Sequence, residues 1–364
     1  MKIAIDYREA IRENKAGKGM VVWKVVNEWK KIQQTDEVFL LADQDFDISD
    51  WPKNFHKVVY PWSGWWWHIR AVWDIWWMFD RYVSLTSYLA PWISFSGKCI
   101  LMVHDLVAFK PELAVKHNQK ATRLEKISLR GAIKNVRKII VPSQSTGNDL
   151  QKFSQSIQDK VCVVPLGVDR IDFSILDTEK VKEKFGVKDE YVLFVGTLEP
   201  RKNLDKLIRA VVELAEDGVW QGDVVLAGKK GWYFEQLVGL KEKIRFGERV
   251  RFVGYVSDEE KYALMQGAKL FYFVSNYEGF GLPILEAMMI GTPVLTSNVS
   301  SLPEVAGRAA MMVNPDSLLQ IKGGIRELLT NQNFADELVA KGKKQAKKYN
   351  WGQTAEKMWQ IVVE

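Results

Sequence analysis

Short runs of β-branched and aromatic residues alternate along this chain with longer stretches of helical periodicity, and that alternation decides what it can fold into. "KIAIDY", "VFLLA", "KVVY", "CILMVHD" and "KIIVPS" read as buried strands in the first half. "YVLFVG", "DVVLAG", "VRFVG", "LFYFV", "TPVLTS" and "AAMMV" read so in the second. Strands apolar on both faces, separated by helical patterns such as 203–217 and 283–290, predict parallel sheets covered on both sides. Enough strands are present for two sheets, and each half of the 364 residues has the size of one doubly wound domain. The expected class is α/β, with Rossmann-like domains over 1–170 and 171–349. The last stretch, "YNWGQTAEKMWQIVVE", reads as an amphipathic helix, expected over 350–364 to pack back on the first domain.

The net charge of +6 is uneven. Residues 1–175 carry 25 Lys/Arg against 19 Asp/Glu, and the remainder carries 26 of each. A polyanionic partner should therefore meet the first half. Cys99 and Cys162 lie in apolar runs and read as reduced core thiols of a cytosolic protein. "MKIAIDY" reads as a first strand rather than a signal peptide, and no eighteen-residue apolar window predicts a membrane span.

In parallel α/β sheets, ligands sit beyond the carboxyl ends of strands. That rule selects three loops. In "YREAIRENKAGKGMVVWKVV", Gly17 and Gly19 precede a helical run, where bare backbone amides suit a phosphate; a plain flexible loop is the other reading. In "FVGTLEPRKNLDKLIRA", Glu199, Arg201 and Lys202 follow a strand, and Asn203 is placed to cap the next helix. Two cations at a helix N-terminus work against the helix dipole, and a bound anion resolves the conflict; a solvated charged turn is the alternative. In "SNYEGFGLPILEAMM", Gly279 and Gly281 let the backbone approach a ligand, and Pro283 suits a helix start. Glu278 would lie in that loop and Glu286 one turn into the helix, both able to accept from hydroxyl pairs. His104, at the end of "CILMVHD" and followed by Asp105, reads as lining a ligand cleft or as a satisfied core group.

"EGFGLPILE" resembles the Glu-x7-Glu motif of the retaining GT-B glycosyltransferases of family 4, the glycosyl transferases group 1. "VGTLEPRKN", "VPLGVD", "VRFVGYVSDEE", "GTPVLTSNVSSLPEVAG" and "HDL…PE" are similar to the same family in the same order. The resemblance covers most of the chain, is strongest over 190–315 and is thinner over 43–95. It implies a GT-B fold, two Rossmann-like doubly wound domains facing a central cleft, with a nucleotide diphosphate sugar as donor. Glu286 resembles the glutamate that holds the ribose, and Glu278 the one that holds hydroxyls of the transferred sugar. The amides of Gly279, Phe280, Gly281 and Leu282 would lie along the sugar and diphosphate. Arg201 and Lys202 would neutralise the leaving diphosphate, with Glu199 beside them. Many relatives place the arginine where this chain has Thr197. Gly17 and Gly19 resemble the glycine loop over the β-phosphate, His104 a histidine of the sugar pocket, and Val253 and Gly254 the backbone that reads the base.

The resemblance further implies transfer of a hexose, mannose or glucose, from a GDP- or UDP-sugar to a glycan or lipid-linked acceptor in cell-surface polysaccharide or glycolipid synthesis. Configuration would be retained, with no metal and no other cofactor. "DQDFD", with Asp43, Asp45 and Asp47, reads as a solvated acidic loop rather than a metal site. Two rivals remain open at this stage: a nucleotide-sugar epimerase of the same fold, and a non-catalytic nucleotide-sugar-binding protein.

The first half also holds nine of the fifteen tryptophans, between Trp51 and Trp92. Trp62, Trp66, Ile69, Trp73, Trp76 and Trp77 have helical spacing. Downstream, Lys116, Lys120, Arg123, Lys126, Arg130, Lys134, Arg137 and Lys138 form a basic run; Lys126, Arg130, Lys134 and Lys138 would share a helix face. Three uses are open: core packing, docking on an anionic inner-leaflet membrane surface, and a platform for the acceptor. The expected location is the cytoplasm, with peripheral docking on the inner face of the cell membrane. Nucleic acid is not an expected partner, because no zinc knuckle, RNA-binding sheet motif or helix-turn-helix cue is present.

Overall fold

The apolar runs form two separate parallel sheets in the computed structural model. The structure describes residues 1–13, 17–32, 35–110, 113, 119–153, 155–170, 176–187 and 190–364. Lys116, and the Pro111 and Glu112 of the quoted "HDL…PE", lie outside the described residues. The chain divides into two compact units: Met1–Gly167 with Asn350–Glu364, and Val168–Tyr349.

In the first unit the order is β1 (Lys2–Asp6), α1 (Lys18–Trp29), β2 (Glu37–Ala42), β3 (Phe55–Val59), α2 (Trp65–Trp77), β4 (Arg81–Ser84), α3 (Leu89–Ser94), β5 (Cys99–Met102), α4 (Gln119–Asn135), β6 (Lys138–Val141), α5 (Gln144–Gln151) and β7 (Val161–Val163). Among the described residues its sheet has seven strands, ordered β3-β2-β1-β4-β5-β6-β7. Two of them, β4 and β7, were not among the runs read from the sequence. "RYVS" is short and opens on arginine, and "VCV" is a half-buried edge strand, so neither shows as a long apolar run. Cys162 accordingly is only half-buried, whereas Cys99 is buried, and both thiols are free.

Right-handed crossovers put α2, α3 and α4 on one face of this sheet, with α2 packed on α3 and α3 on α4. From β1 to β2 the chain steps along the sheet in the opposite direction, so a crossover of the same right hand puts α1 on the opposite face. Lys138 begins β6 instead of continuing α4, so the shared helical face is Lys126, Arg130 and Lys134 only.

In the second unit the order is α6 (Thr178–Phe185), β8 (Tyr191–Val195), α7 (Leu204–Glu216), β9 (Asp223–Ala227), α8 (Phe234–Lys243), β10 (Val250–Gly254), α9 (Asp258–Gly267), β11 (Leu270–Phe273), α10 (Leu282–Ile290), β12 (Val294–Ser297), α11 (Leu302–Ala306), β13 (Met311–Val313), α12 (Leu318–Thr330) and α13 (Gln332–Ala346). Its strands run β10-β9-β8-β11-β12-β13, and the runs read from the sequence are the strands observed. β8, β9 and β11 are buried almost throughout, as central parallel strands must be.

The chain then returns to the first unit as α14 (Trp351–Val363). Trp29 of α1 donates its indole N–H to the Ala355 carbonyl at 2.8 Å and meets Trp359 edge-on at 5.2 Å. Thr354 Oγ1 donates to the Pro165 carbonyl at 2.8 Å. At Gly167 an added Cβ would lie 2.2 Å from the Trp351 nitrogen, so only glycine lets the backbones approach here.

Candidate functional site

Each sheet reverses its strand order at one point: between β1 and β4 in the first unit, and between β8 and β11 in the second. Loops beyond the carboxyl ends of such a strand pair open a crevice, the place where α/β sheets bind ligands.

In the second unit the two loops are sewn together. β8 leads through Glu199 into a single 3-10 turn, Pro200–Lys202, before α7. β11 leads through Tyr277 and Glu278 to α10. The Asn276 amide donates to the Arg201 carbonyl at 2.8 Å. Asn203 precedes α7 but does not cap it by its side chain, as the sequence had suggested. It sits instead in the left-handed region at φ 52 and donates its side-chain amide to the Val274 carbonyl at 3.1 Å and to Asn276 Oδ1. The side chain spent on the neighbouring loop is unavailable for the helix.

This stitching puts four charged groups together. Arg201 Nη1 donates to Glu278 Oε1 at 2.7 Å, and the Lys202 ammonium donates to the same oxygen. Arg201 Nε also donates to Glu199 Oε2 at 2.8 Å. Lys202 is buried against the face of Phe273, 4.6 Å from its centroid. Burial would raise the Glu278 pKa, but the two cations overcome it and hold the carboxylate ionised, at about 2. Burial lowers Lys202, Glu278 opposes that, and Arg201 adds to it.

Ser300 and Ser301 fix the loop from below. Ser300 Oγ donates to the Glu278 carbonyl at 2.6 Å, and Ser301 Oγ donates to the Phe280 carbonyl at 2.7 Å. Gly281 takes φ 122, a conformation side chains rarely adopt, and starts α10 with Leu282 and Pro283 in its first turn.

Glu286, in the second turn of α10, is half-buried. Its Oε1 accepts from Lys261 Nζ at 2.8 Å and from the Tyr262 hydroxyl at 3.2 Å. Burial would lower the Lys261 pKa, yet Glu286 and Tyr262 push it above the ordinary lysine range. Both glutamates are thus pinned through Oε1, and among the described residues no group hydrogen-bonds either Oε2. A carboxylate oxygen fixed in place and left open is an acceptor for hydroxyls.

At the end of β10, the pairing with β9 skips from Phe252 to Gly254, so Val253 is the extra residue of a bulge. Its backbone is turned out of the ladder. Gly254, at φ 75, accepts from the Gly228 amide at 2.7 Å.

In the first unit Gly17 is the residue before α1, while Gly19 lies inside its first turn. An added Cβ at Gly19 would meet the Glu9 carbonyl oxygen at 2.5 Å, so close packing accounts for that glycine. His104 Nε2 donates to the Leu85 carbonyl at 2.7 Å, leaving Nδ1 as an acceptor. Burial, followed by the nearby Lys18, lowers its pKa to about 4, so the imidazole is neutral at pH 7.

Sequence reasoning picked the two glutamates and the cations of Glu278, Arg201 and Lys202. It missed Lys261, Tyr262, Ser300 and Ser301. Ser300 and Ser301 stand within a quoted motif; Lys261 and Tyr262 directly follow another. Among the described residues no three His, Cys, Asp or Glu side chains gather as a metal-binding group.

Two family models match: "Glycosyltransferase Family 4" over 38–170 and "Glycosyl transferases group 1" over 177–345. The chain is 32% identical to O-antigen chain mannosyltransferase B of Escherichia coli over 258 residues, 70% of this chain and 67% of that protein. It is 31% identical to the serotype-specific mannosyltransferase WbdA of Escherichia coli over 285 residues, 76% of this chain but only 34% of that longer protein. The fold is similar to that of Anabaena HepE solved with UDP-glucose, with a TM-score of 0.78 at 15% identity, covering 100% of this chain and 99% of that one.

Proposed function

Because the chain belongs to family 4 of the GT-B glycosyltransferases, we propose that it moves mannose from a nucleoside diphosphate mannose to a hydroxyl of a growing glycan, retaining the anomeric configuration. The observation that carries this reading is the pair Glu278 and Glu286, each fixed through one oxygen with the other open. The choice of mannose draws on the two E. coli relatives, both named as mannosyltransferases.

On this reading Glu286 accepts from the ribose diol and Glu278 from hydroxyls of the mannose. Breaking the glycosidic bond puts negative charge on the diphosphate and positive charge on the sugar ring. Arg201, Lys202 and the N-terminal amides of α10 stabilise the first. Glu278 is already bonded to two cations, so it positions the donor and does not attack it. The departing phosphate takes the acceptor's proton as the new bond forms on the same face of the sugar. The Val253–Gly254 backbone meets the base. Glu199 orients Arg201. No metal has a part in this scheme.

The test compares GDP-mannose with UDP-glucose as donors to a mannose-terminated oligosaccharide, reading the product's anomeric centre by NMR. Thermal stabilisation by GDP, UDP and ADP ranks the base. Glu286→Ala and Lys202→Ala should each weaken nucleotide binding and abolish transfer; unchanged turnover in both would refute the site. Sugar conversion without any acceptor would instead identify an epimerase.

A further inference from the structure

The tryptophan-rich helix spends only one of its indoles, Trp67, on the core. Its buried stripe is Trp67, Ala71, Asp74 and Ile75. Arg70 Nη2 lies 3.0 Å from Asp74 Oδ1 and Tyr60 donates to Asp74 Oδ2, while the buried His68 Nδ1 has no hydrogen-bond partner among the described residues. The other faces are apolar and open. Trp66 is 70% exposed, Trp73 60% and Trp77 74%, with Trp62, Trp65 and Trp76 about half exposed. Trp62, Trp66, Ile69, Arg70 and Trp73 line a shallow groove of about 490 Å³. An exposed patch of this kind on a folded unit marks an interaction surface.

Charge on the same helical layer narrows the partner. On α4, the exposed stripe Arg123, Ile127, Arg130 and Lys134 mixes cations with an apolar side chain, and Leu124 beside it is also exposed. Among the described residues, no carboxylate pairs with any of these three cations. Phe95, closing the intervening α3, is 68% exposed. The layer α2–α3–α4 thus presents indoles, aliphatic side chains and uncompensated positive charge together.

We propose that this layer docks on the headgroup region of an anionic phospholipid membrane. Indole rings prefer that region, where one edge is apolar and the N–H is wet, and lysine and arginine beside them meet lipid phosphates. A neutral glycan needs many hydrogen-bonding groups, and this groove offers little beyond Arg70. A second copy would bring the same cations on the same layer and no anionic face to meet them. No helix among the described residues is long and apolar enough to cross a membrane. This inference does not depend on which sugar is transferred.

The experiment floats the full chain with vesicles of phosphatidylglycerol and phosphatidylethanolamine, and with phosphatidylcholine alone. Binding to the anionic vesicles is expected, falling steeply towards about 0.5 M salt. Trp66→Ser/Trp73→Ser/Trp77→Ser, and separately Arg123→Glu/Arg130→Glu, should each lower binding at least about tenfold. Both variants alter exposed side chains, so their melting temperatures and their transfer to a water-soluble acceptor should match the parent. Absence of flotation at low salt, or flotation equal in the tryptophan variant, overturns the proposal. So does an aromatic face that instead binds mannose oligosaccharide or drives dimerisation, either one abolished in the tryptophan variant. If transfer fails in the parent while flotation succeeds, only the catalytic reading falls.

Discussion

The Lys261 ammonium on α9 and the Glu286 carboxylate on α10 are joined at 2.8 Å, although 25 residues separate them. The pair aims a glutamate that its own helix would leave free to swing, and it leaves Oε2 open for a ligand.

Replacing the cation should therefore cost both stability and donor binding. Lys261→Met leaves a half-buried carboxylate with only the Tyr262 hydroxyl. A loss of about 2 kcal/mol is expected, the scale of a hydrogen bond to a charged group. Tyr262→Phe should cost about 1 kcal/mol or less. Urea unfolding measures both, and the donor KM should rise more in Lys261→Met than in Tyr262→Phe.

Glu278 holds the two cations that a diphosphate would need. It is therefore a competitor of the leaving group as well as a partner of the sugar. Glu278→Gln keeps the shape and removes the charge, so nucleoside diphosphate without sugar should bind several-fold more tightly. Transfer from the full donor should fall by a factor on the order of a hundred, as for a lost transition-state contact. Calorimetry with the diphosphate and kcat with the donor read the two effects, which move in opposite directions.

The same carboxylate sets a pH dependence. Its folded pKa, about 2, lies below the ordinary value of 4.5, so it stabilises the fold fully above that ordinary value. That contribution, on the order of 3 kcal/mol by the size of the depression, is lost as pH falls from about 4.5 towards about 2. Glu278→Gln has nothing there to titrate. The stability gap between parent and variant should narrow progressively in urea melts taken at falling pH.

Gly281→Ala tests the start of α10. The backbone there has φ 122, and an added Cβ would lie 2.9 Å from Leu302 Cδ2. The strain is expected to cost about 1–3 kcal/mol. Donor affinity should fall too, because relief of the strain would swing Glu278 and the amides of 279–282 together. Thermal melts with and without nucleoside diphosphate separate the two losses.

The sequence was most informative where burial is most uniform. "YVLFV" and "LFYF" are apolar on both faces because they lie at the middle of a parallel sheet, and both were legible as strands. The nearness of Lys202 to Glu278 was also legible, since each follows a strand and ligands gather beyond strand ends. The partner of Glu286 was not, because Lys261 lies on a helix whose polar pattern looks like any solvated face. "RYVS" was lost because four residues opening on arginine carry no period. The spacing of Trp66, Ile69 and Trp73 announced a helix face, but spacing alone cannot tell an inward stripe from an outward one. Only Trp67, Ala71 and Ile75 turning inward settled which face was which.

The return of α14 bears on the order in which the protein comes into being. Every residue of Val168–Tyr349 is already joined before the Ala355 carbonyl that Trp29 needs is made. The second unit therefore contains nothing of Asn350–Glu364, whereas the first is completed only by that segment. A chain cut just before Asn350 should hold a protease-resistant second unit beside a protease-sensitive first.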